Sequence, residues 1–278
     1  MNGAVNGAVN SAVTQSTIVD IQSALDQRQI VIDEVGICSI SHPVQWQDKS
    51  GKIFGSIGQW TMGVALPADR KGTHMSRFIT LMNESHVPLN ARTMRELHKT
   101  MLKTLDASAG HLRIGFELFL KKTAPVSALT SLMGYDFAWD VNASEDGKQH
   151  LQLEVGVAVT SLCPCSKAIA EYGAHNQRSL IKVILRLADN ASLHPEDVIA
   201  TVEAQGSSQL WALLKRSDEK LVTEQAYDNP KFVEDLVRDV AIALNKLSGV
   251  AAWSAQAENF ESIHRHNVYA RVRSANFA

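Results

Sequence analysis

Cysteine and histidine spacing carries the sharpest chemical signal in this sequence of 278 residues. Cys163 and Cys165 sit in the stretch SLCPCS, and His175 follows Cys163 by twelve residues, in GAHNQR. A thiolate and an imidazole are strong donors for Zn²⁺ or a similar borderline ion. The spacing is not that of a zinc finger, because no second C-x₂-C or H-x₃-H pair accompanies it. A metal here would draw its other ligands from distant sequence, as catalytic sites with an open position do. The same residues also suit a buried structural cysteine beside a loop histidine. A Cys163–Cys165 redox pair is disfavoured by the strain of a C-x-C bridge.

Three further segments hold reactive side chains. In ESIHRH (261–266), alternation along an extended chain places His264 and His266 on one face and Arg265 on the other. LKRSDEK (214–220) mixes both signs; it reads as a solvated loop between helices, or as a place where a carboxylate coordinates and basic groups hold an anion. Glu234 falls in the first turns of a long helix, where the macrodipole alone favours a carboxylate by about 0.3–1 kcal/mol. RKGTHMSR (70–77) combines Arg70, Lys71 and Arg77 with Gly72 and Ser76, which are parts that bind phosphate. It is no P-loop, and surface loops share this composition.

The elements that must position these residues follow from periodicity. Strands are expected over 36–44, 54–66, 111–121, 135–142, 151–162, 180–187, 250–260 and 266–272, where β-rich runs lie between turn residues. Helices are expected over 89–107, 195–202, 207–215 and 230–247, where apolar residues recur at three- and four-residue steps. Each half therefore reads strand-strand, helices, strand-strand. The expected organisation is a disordered tail (1–30, opening with the low-complexity run NGAV-NGAV-NSAV) and two similar units (31–145 and 146–278). G-x-H-x-x-R occurs at 72–77 and again at 173–178, and is expected between the first two strands of each half with a strand following it.

Composition narrows the function classes. Lys+Arg 27 against Asp+Glu 29 leaves a net charge of -2, which argues against an electrostatic nucleic-acid or membrane-surface binder. Mean hydropathy is -0.09, and no window reaches the roughly 20 apolar residues that a membrane span needs. Three cysteines are too few for a disulfide framework, and no secretory signal pattern opens the chain, so a reducing cytoplasm is expected.

Taken together and in order, KGTHMSRF, SLCPCSK…GAHNQRS, LKRSDEKLVTEQAY-NPKFVED and ESIHRHNVYA resemble GTP cyclohydrolase I of type B, from about residue 30 to residue 274. The resemblance implies an α+β tunnelling fold, with two ββ-helices-ββ units per subunit whose antiparallel sheets form barrels in a homotetramer with active sites at subunit interfaces. It implies one divalent metal per site (Zn²⁺, Mn²⁺ or Fe²⁺), no organic cofactor, and Cys163, His175, Glu219 and His264 around the metal. Glu234 would anchor the guanine edge, and KGTHMSR would face the pocket from a neighbouring subunit. Lys71, Ser76, Arg77, Arg178, Lys215 and Arg216 would serve substrate binding, with His74 as an additional acid/base or phosphate contact.

The implied reaction is hydrolytic attack on C8 of GTP, ring opening, release of formate and reclosure to 7,8-dihydroneopterin triphosphate. A metal that lowers the pKa of water from about 15.7 to about 7 favours hydroxide by about 12 kcal/mol. His175 is open between inner-sphere ligand and proton shuttle. Two other readings stand beside this one: a nitrile reductase of the same fold with Cys163 as nucleophile and NADPH as hydride donor, and a non-catalytic scaffold around a closed structural metal site.

Overall fold

Alternation of apolar and polar residues builds a sheet with one wet and one dry face. The computed structural model describes residues 20–144, 146–189 and 191–277. Its strands are β1 (Ile32–Gln47), β2 (Ile53–Leu66), β3 (Gly110–Thr123), β4 (Thr130–Ala143), β5 (Gln149–Leu162), β6 (Asn176–Leu187), β7 (Val250–Asn259) and β8 (Val268–Arg273). They form a single antiparallel sheet in sequence order. Along β5, Leu151, Leu153, Val155, Val157 and Val159 are fully buried, and Ile181, Val183 and Leu185 of β6 continue the same face. Each such side chain contributes about 1.5–3 kcal/mol when fully removed from water.

The helices are α1 (Met75–Glu84), α2 (Ala91–Leu105), α3 (Pro164–Ile169), α4 (Pro195–Glu203), α5 (Arg216–Asp228) and α6 (Val233–Leu244), and all but the short α3, which buries no residue, cover that face. The α6 stripe of Val233, Leu236, Val237, Val240 and Leu244 is buried as its spacing requires. α2 begins at a capping box in which Asn90 Oδ1 accepts from Arg92 N (2.9 Å) and Thr93 N (3.0 Å), while Thr93 Oγ1 accepts from Asn90 N. Between the two expected units, β4 and β5 pair from Phe137↔Val155 to Ala143↔Gln149, so both halves share one sheet. Among the described residues no helix is long and apolar enough to cross a membrane.

Several expectations are corrected. The two G-x-H-x-x-R segments are not equivalent. Residues 173–178 run from the β5–β6 connection into the start of β6, but residues 72–77 follow β2 and run into α1, where Phe78, Leu81 and Met82 are buried at helical spacing. Residues 207–215 are not a helix: Ser207 and Ser208 add to the edge of β5, with Ser207 N donating to Thr160 O (2.9 Å) and Thr160 N to Ser208 O (2.9 Å). The charged segment expected as a loop is the start of α5, nucleated by Asp218 accepting from Lys215 N (2.8 Å). Within the expected tail, residues 2–13 lie outside the described residues, whereas Ala24 O accepts from Lys71 N and Gln22 O from Gly72 N (both 3.1 Å).

The register sets two rims. Val64↔Gly110, Gly110↔Ala143 and Ala143↔Gln149 align one end of the strands, and Leu162↔Asn176 marks the other end of β5. β5 has 14 residues. At about 3.3 Å per residue, the rims stand about 45 Å apart along it.

Candidate active site

Cys163, His175 and His264 occupy the rim where β5 and β7 end and β6 and β8 begin. Cys163 N–H donates to His175 O at 3.1 Å, which holds the two donors on facing chain positions. Pro164 opens α3 with Cys163 as its N-cap, because proline at the first helical position loses no needed donor. The half-buried Cys163 Sγ accepts from Ser166 N (3.5 Å), and Ser166 Oγ accepts in turn from His175 N (3.2 Å). His175 Nδ1 lies 3.1 Å from Gln177 Oε1, and Ser262 Oγ from the loop carrying His264 stands 3.4 Å from the same nitrogen. His264 and His266 stack with centroids 5.2 Å apart, as their placement on one face anticipates. Cys165 is exposed.

The other expected residues divide between the rims. Lys231 N donates to Leu162 O (3.0 Å), which brings the start of α6, and with it the exposed Glu234, beside Cys163. Arg178 is exposed on the opposite, open face of β6, and Phe260 N donates to its carbonyl (3.0 Å). Glu219 stands in the first turn of α5, with Lys215 and Arg216 at its start, all three exposed. Asp218 alone of that turn is fully buried and accepts from Val126 N (2.8 Å), Ser127 N (2.9 Å) and Ser127 Oγ (2.6 Å). Burial pushes its pKa up, and the bonds from Ser127, Lys215 and Val126 outweigh that and hold it well below the usual range. The far end of α5 meets α3 through Lys167 Nζ and Tyr227 O (2.5 Å). Eight residues separate Glu219 from Tyr227, about 12 Å of helix axis.

Among the described residues, no three His, Cys, Asp or Glu side chains converge as a metal cage. The donors themselves suit a borderline divalent ion: a thiol, and an imidazole with one nitrogen bonded to Gln177 and the other unpartnered among the described residues. Cys163, His175 and His264 share the rim, while Glu219 lies along α5. A cavity of about 630 Å³ between α2 and the β6–α4 connection is lined by Trp46, Phe116, Phe137 and Trp139, and by none of these donors. It lies in the gap between the helices of the two halves.

Lys71, His74, Ser76 and Arg77 lie at the other rim. Arg77 donates to Thr104 O (3.2 Å) near the end of α2, Arg70 pairs with Asp106, and His74 Nε2 stands 3.3 Å from Asp20 Oδ2. Sequence reasoning missed a polar chain behind His175: Gln177, Ser161, Ser179 and Asn259, all buried. Its signal was available, since Gln177 and Ser179 share the strand parity of the apolar Ile181, Val183 and Leu185.

A family model described as type I GTP cyclohydrolase folE2 matches residues 18–270. The chain is 49% identical over 255 residues to a protein named GTP cyclohydrolase FolE2 from Paraburkholderia phymatum, covering 92% of this chain and 94% of that one. It is 48% identical over 255 residues to one of the same name from Azoarcus sp., with the same coverage. A solved structure of a hyper-thermostable AgUricase mutant superposes with a TM-score of 0.51 at 8% identity, covering 87% of this chain and 91% of that one. The shared architecture is the tunnelling fold.

Proposed function

The chain belongs to the type I GTP cyclohydrolase folE2 family, and on that premise we propose that it hydrolyses GTP to 7,8-dihydroneopterin triphosphate and formate. The observation that carries the reading is the rim cluster itself: Cys163 and His175 joined backbone to backbone, with the His264 loop reaching His175 through Ser262. Cys163, His175, Glu219 and His264 would hold a divalent ion, and α5 must bring Glu219 to the cluster. A bound divalent ion supplies a nucleophilic hydroxide near neutral pH for attack on C8.

The chain's own residues supply the rest. Glu234 accepts from the guanine N1–H and 2-amino group, which an adenine edge cannot offer. Arg178, Lys215 and Arg216 balance the triphosphate. His175 stands where a proton must leave water and reach the opening ring. Lys71, His74, Ser76 and Arg77 cannot reach this cluster within one subunit, because a strand length separates the rims. They act from a neighbouring copy in a homotetramer. Ile169, Tyr172 and Ile263, exposed around the cluster, are apolar surface that such a copy covers. The enzyme works in the cytoplasm, with Zn²⁺, Mn²⁺ or Fe²⁺ as the ion.

The test is formate release and pterin fluorescence from GTP with chelated and metal-reconstituted protein, alongside Cys163→Ala. The variant is expected to lose both signals while keeping its oligomer. Full activity in that variant, or activity that survives chelation and requires NADPH, would overturn the assignment.

A further inference from the structure

Behind His175, four side chains from three strands form one hydrogen-bonded line. Gln177 Oε1 lies 3.1 Å from His175 Nδ1; Gln177 Nε2 donates to Ser161 Oγ at 3.0 Å. Ser161 and Ser179 hydroxyls are 2.7 Å apart, and Ser179 Oγ is 2.7 Å from Asn259 Oδ1. Ser161 faces Gln177 across β5 and β6, and Ser179 faces Asn259 across β6 and β7. Ser161 and Ser179 are fully buried, with Asn259 at 4% and Gln177 at 8% exposure.

Proton counting gives the line a direction. Asn259 Oδ1 can only accept, so the single Ser179 proton goes to it. Ser161 then donates to Ser179, and its oxygen accepts from Gln177 Nε2. That leaves Gln177 with its carbonyl toward His175, whose Nδ1 must carry the proton and whose Nε2 must carry the lone pair. Turning the two amides over reverses every donor and moves the proton to Nε2, so one readout decides the polarity. Strand interiors do not need such a line. The next inward residues on the same face, Val159, Ile181 and Ala257, are apolar and completely buried.

We infer that Gln177, braced by Ser161, Ser179 and Asn259, is a positioning residue that fixes His175 as the Nδ1–H tautomer and so presents Nε2 to the divalent ion. The inference rests on the place given to His175 in the proposed site. Ligating histidines ordinarily donate their second nitrogen to such a partner, and its loss weakens metal binding about 10–100-fold.

The tautomer is read first, by ¹⁵N-histidine NMR on native metal-free protein, with the His175 signals identified by their absence in His175→Asn. Nδ1–H is expected; an Nε2–H tautomer overturns the inference with no variant needed. Zn²⁺ affinity is then measured by chelator competition. Gln177→Met, which removes the acceptor at similar size, is expected to bind about 10–100-fold more weakly. Gln177→Glu, which still accepts from Nδ1–H, is expected to recover most of the native affinity. A Gln177→Met protein that is less stable yet binds Zn²⁺ as the native protein does shows a purely structural role and also overturns it. The His175→Asn variant separates the two levels. If that variant keeps native Zn²⁺ affinity, the ligand set itself fails; if it loses Zn²⁺ while Gln177→Met does not, only the positioning role falls.

Discussion

Lys122→Met tests how the two halves are joined and how the approach to α5 is held. Lys122 on β3 places Nζ 2.6 Å from Glu203 Oε1 at the end of α4, and Tyr135 OH donates to the same oxygen at 2.8 Å. The Lys122 side chain is 11% exposed and that of Glu203 7%. Burial lowers the Lys122 pKa more than pairing with Glu203 raises it, so desolvation outweighs attraction for this ammonium. Burial first, and then the neighbouring carboxylate, push the Tyr135 phenol up, which keeps it a donor. Removing one partner of a buried pair typically costs about 3–5 kcal/mol, because the other charge is left uncompensated.

Tyr135 still donates to Glu203 after Lys122→Met, and methionine keeps most of the stem. The expected cost is therefore at the low end, about 3 kcal/mol. Loss of the Lys122 cation over the Trp211 ring, 4.7 Å away, adds about 0.5–1 kcal/mol. In Lys122→Met/Glu203→Gln no buried charge remains, and Tyr135 keeps a neutral acceptor, so the double variant is expected to cost less than Lys122→Met alone. Equilibrium urea unfolding at one fixed protein concentration measures all three proteins. A double variant less stable than Lys122→Met alone would refute the reasoning.

Two further outcomes follow from other sites. Glu234→Gln is expected to weaken GTP binding by roughly tenfold or more, the loss of about 1.5–3 kcal/mol for a charge-assisted hydrogen bond, with metal affinity unchanged; calorimetry with GTP and with Zn²⁺ separates the two, and loss of metal at native nucleotide affinity would contradict the role. His111 Nε2 lies 3.1 Å from Asp140 and Nδ1 3.6 Å from Glu34, with Arg113 also on Asp140 at 3.4 Å. The Asp140 bond raises the His111 pKa above its ordinary 6.5, against burial. A raised folded pKa means stability fully present below about 6.5 and lost as pH rises through the folded value. The gap in urea midpoint between native and His111→Asn protein should therefore shrink from pH 6 to pH 8.5; a gap that widens would contradict the assignment.

The strands were legible because their inward positions are unbroken runs such as Leu151, Leu153, Val155, Val157 and Val159, a pattern with period two. α6 was legible for the parallel reason, a five-residue stripe at helical spacing. α5 was not, since only Asp218 and Ala226 are buried on it, and a helix with so little apolar period gives no such signal. Its acids at Asp218 and Glu219, in the first turn, were the readable clue. Residues 207–215 misled in the opposite way: Leu210, Trp211, Leu213 and Leu214 mimic a helical stripe, but the buried Ser207 and Ser208 tie that stretch to β5. Cys163, His175 and His264 stood out as candidate donors from residue type alone. Their common rim was not, because it depends on pairings between strands far apart in sequence.

That geometry makes the assembly of the site testable. His74 belongs to the segment between β2 and α1 at one rim, and Cys163 to the end of β5 at the other, about 45 Å away along β5. No side chain spans that distance, so if both serve one reaction they come from different copies. Cys163→Ala and His74→Ala would each be inactive alone as homo-oligomers. In oligomers assembled from an equal mixture, a site receives native Cys163 half the time and native His74 from its neighbour half the time. Random pairing across symmetric interfaces therefore restores about a quarter of the native GTP turnover. Co-expression with two different affinity tags, followed by tandem purification and the formate assay, measures it. Mixed oligomers that stay inactive, when each parent is folded and oligomeric, would place both residues in one subunit's reaction; a His74→Ala parent with native turnover would remove His74 from it.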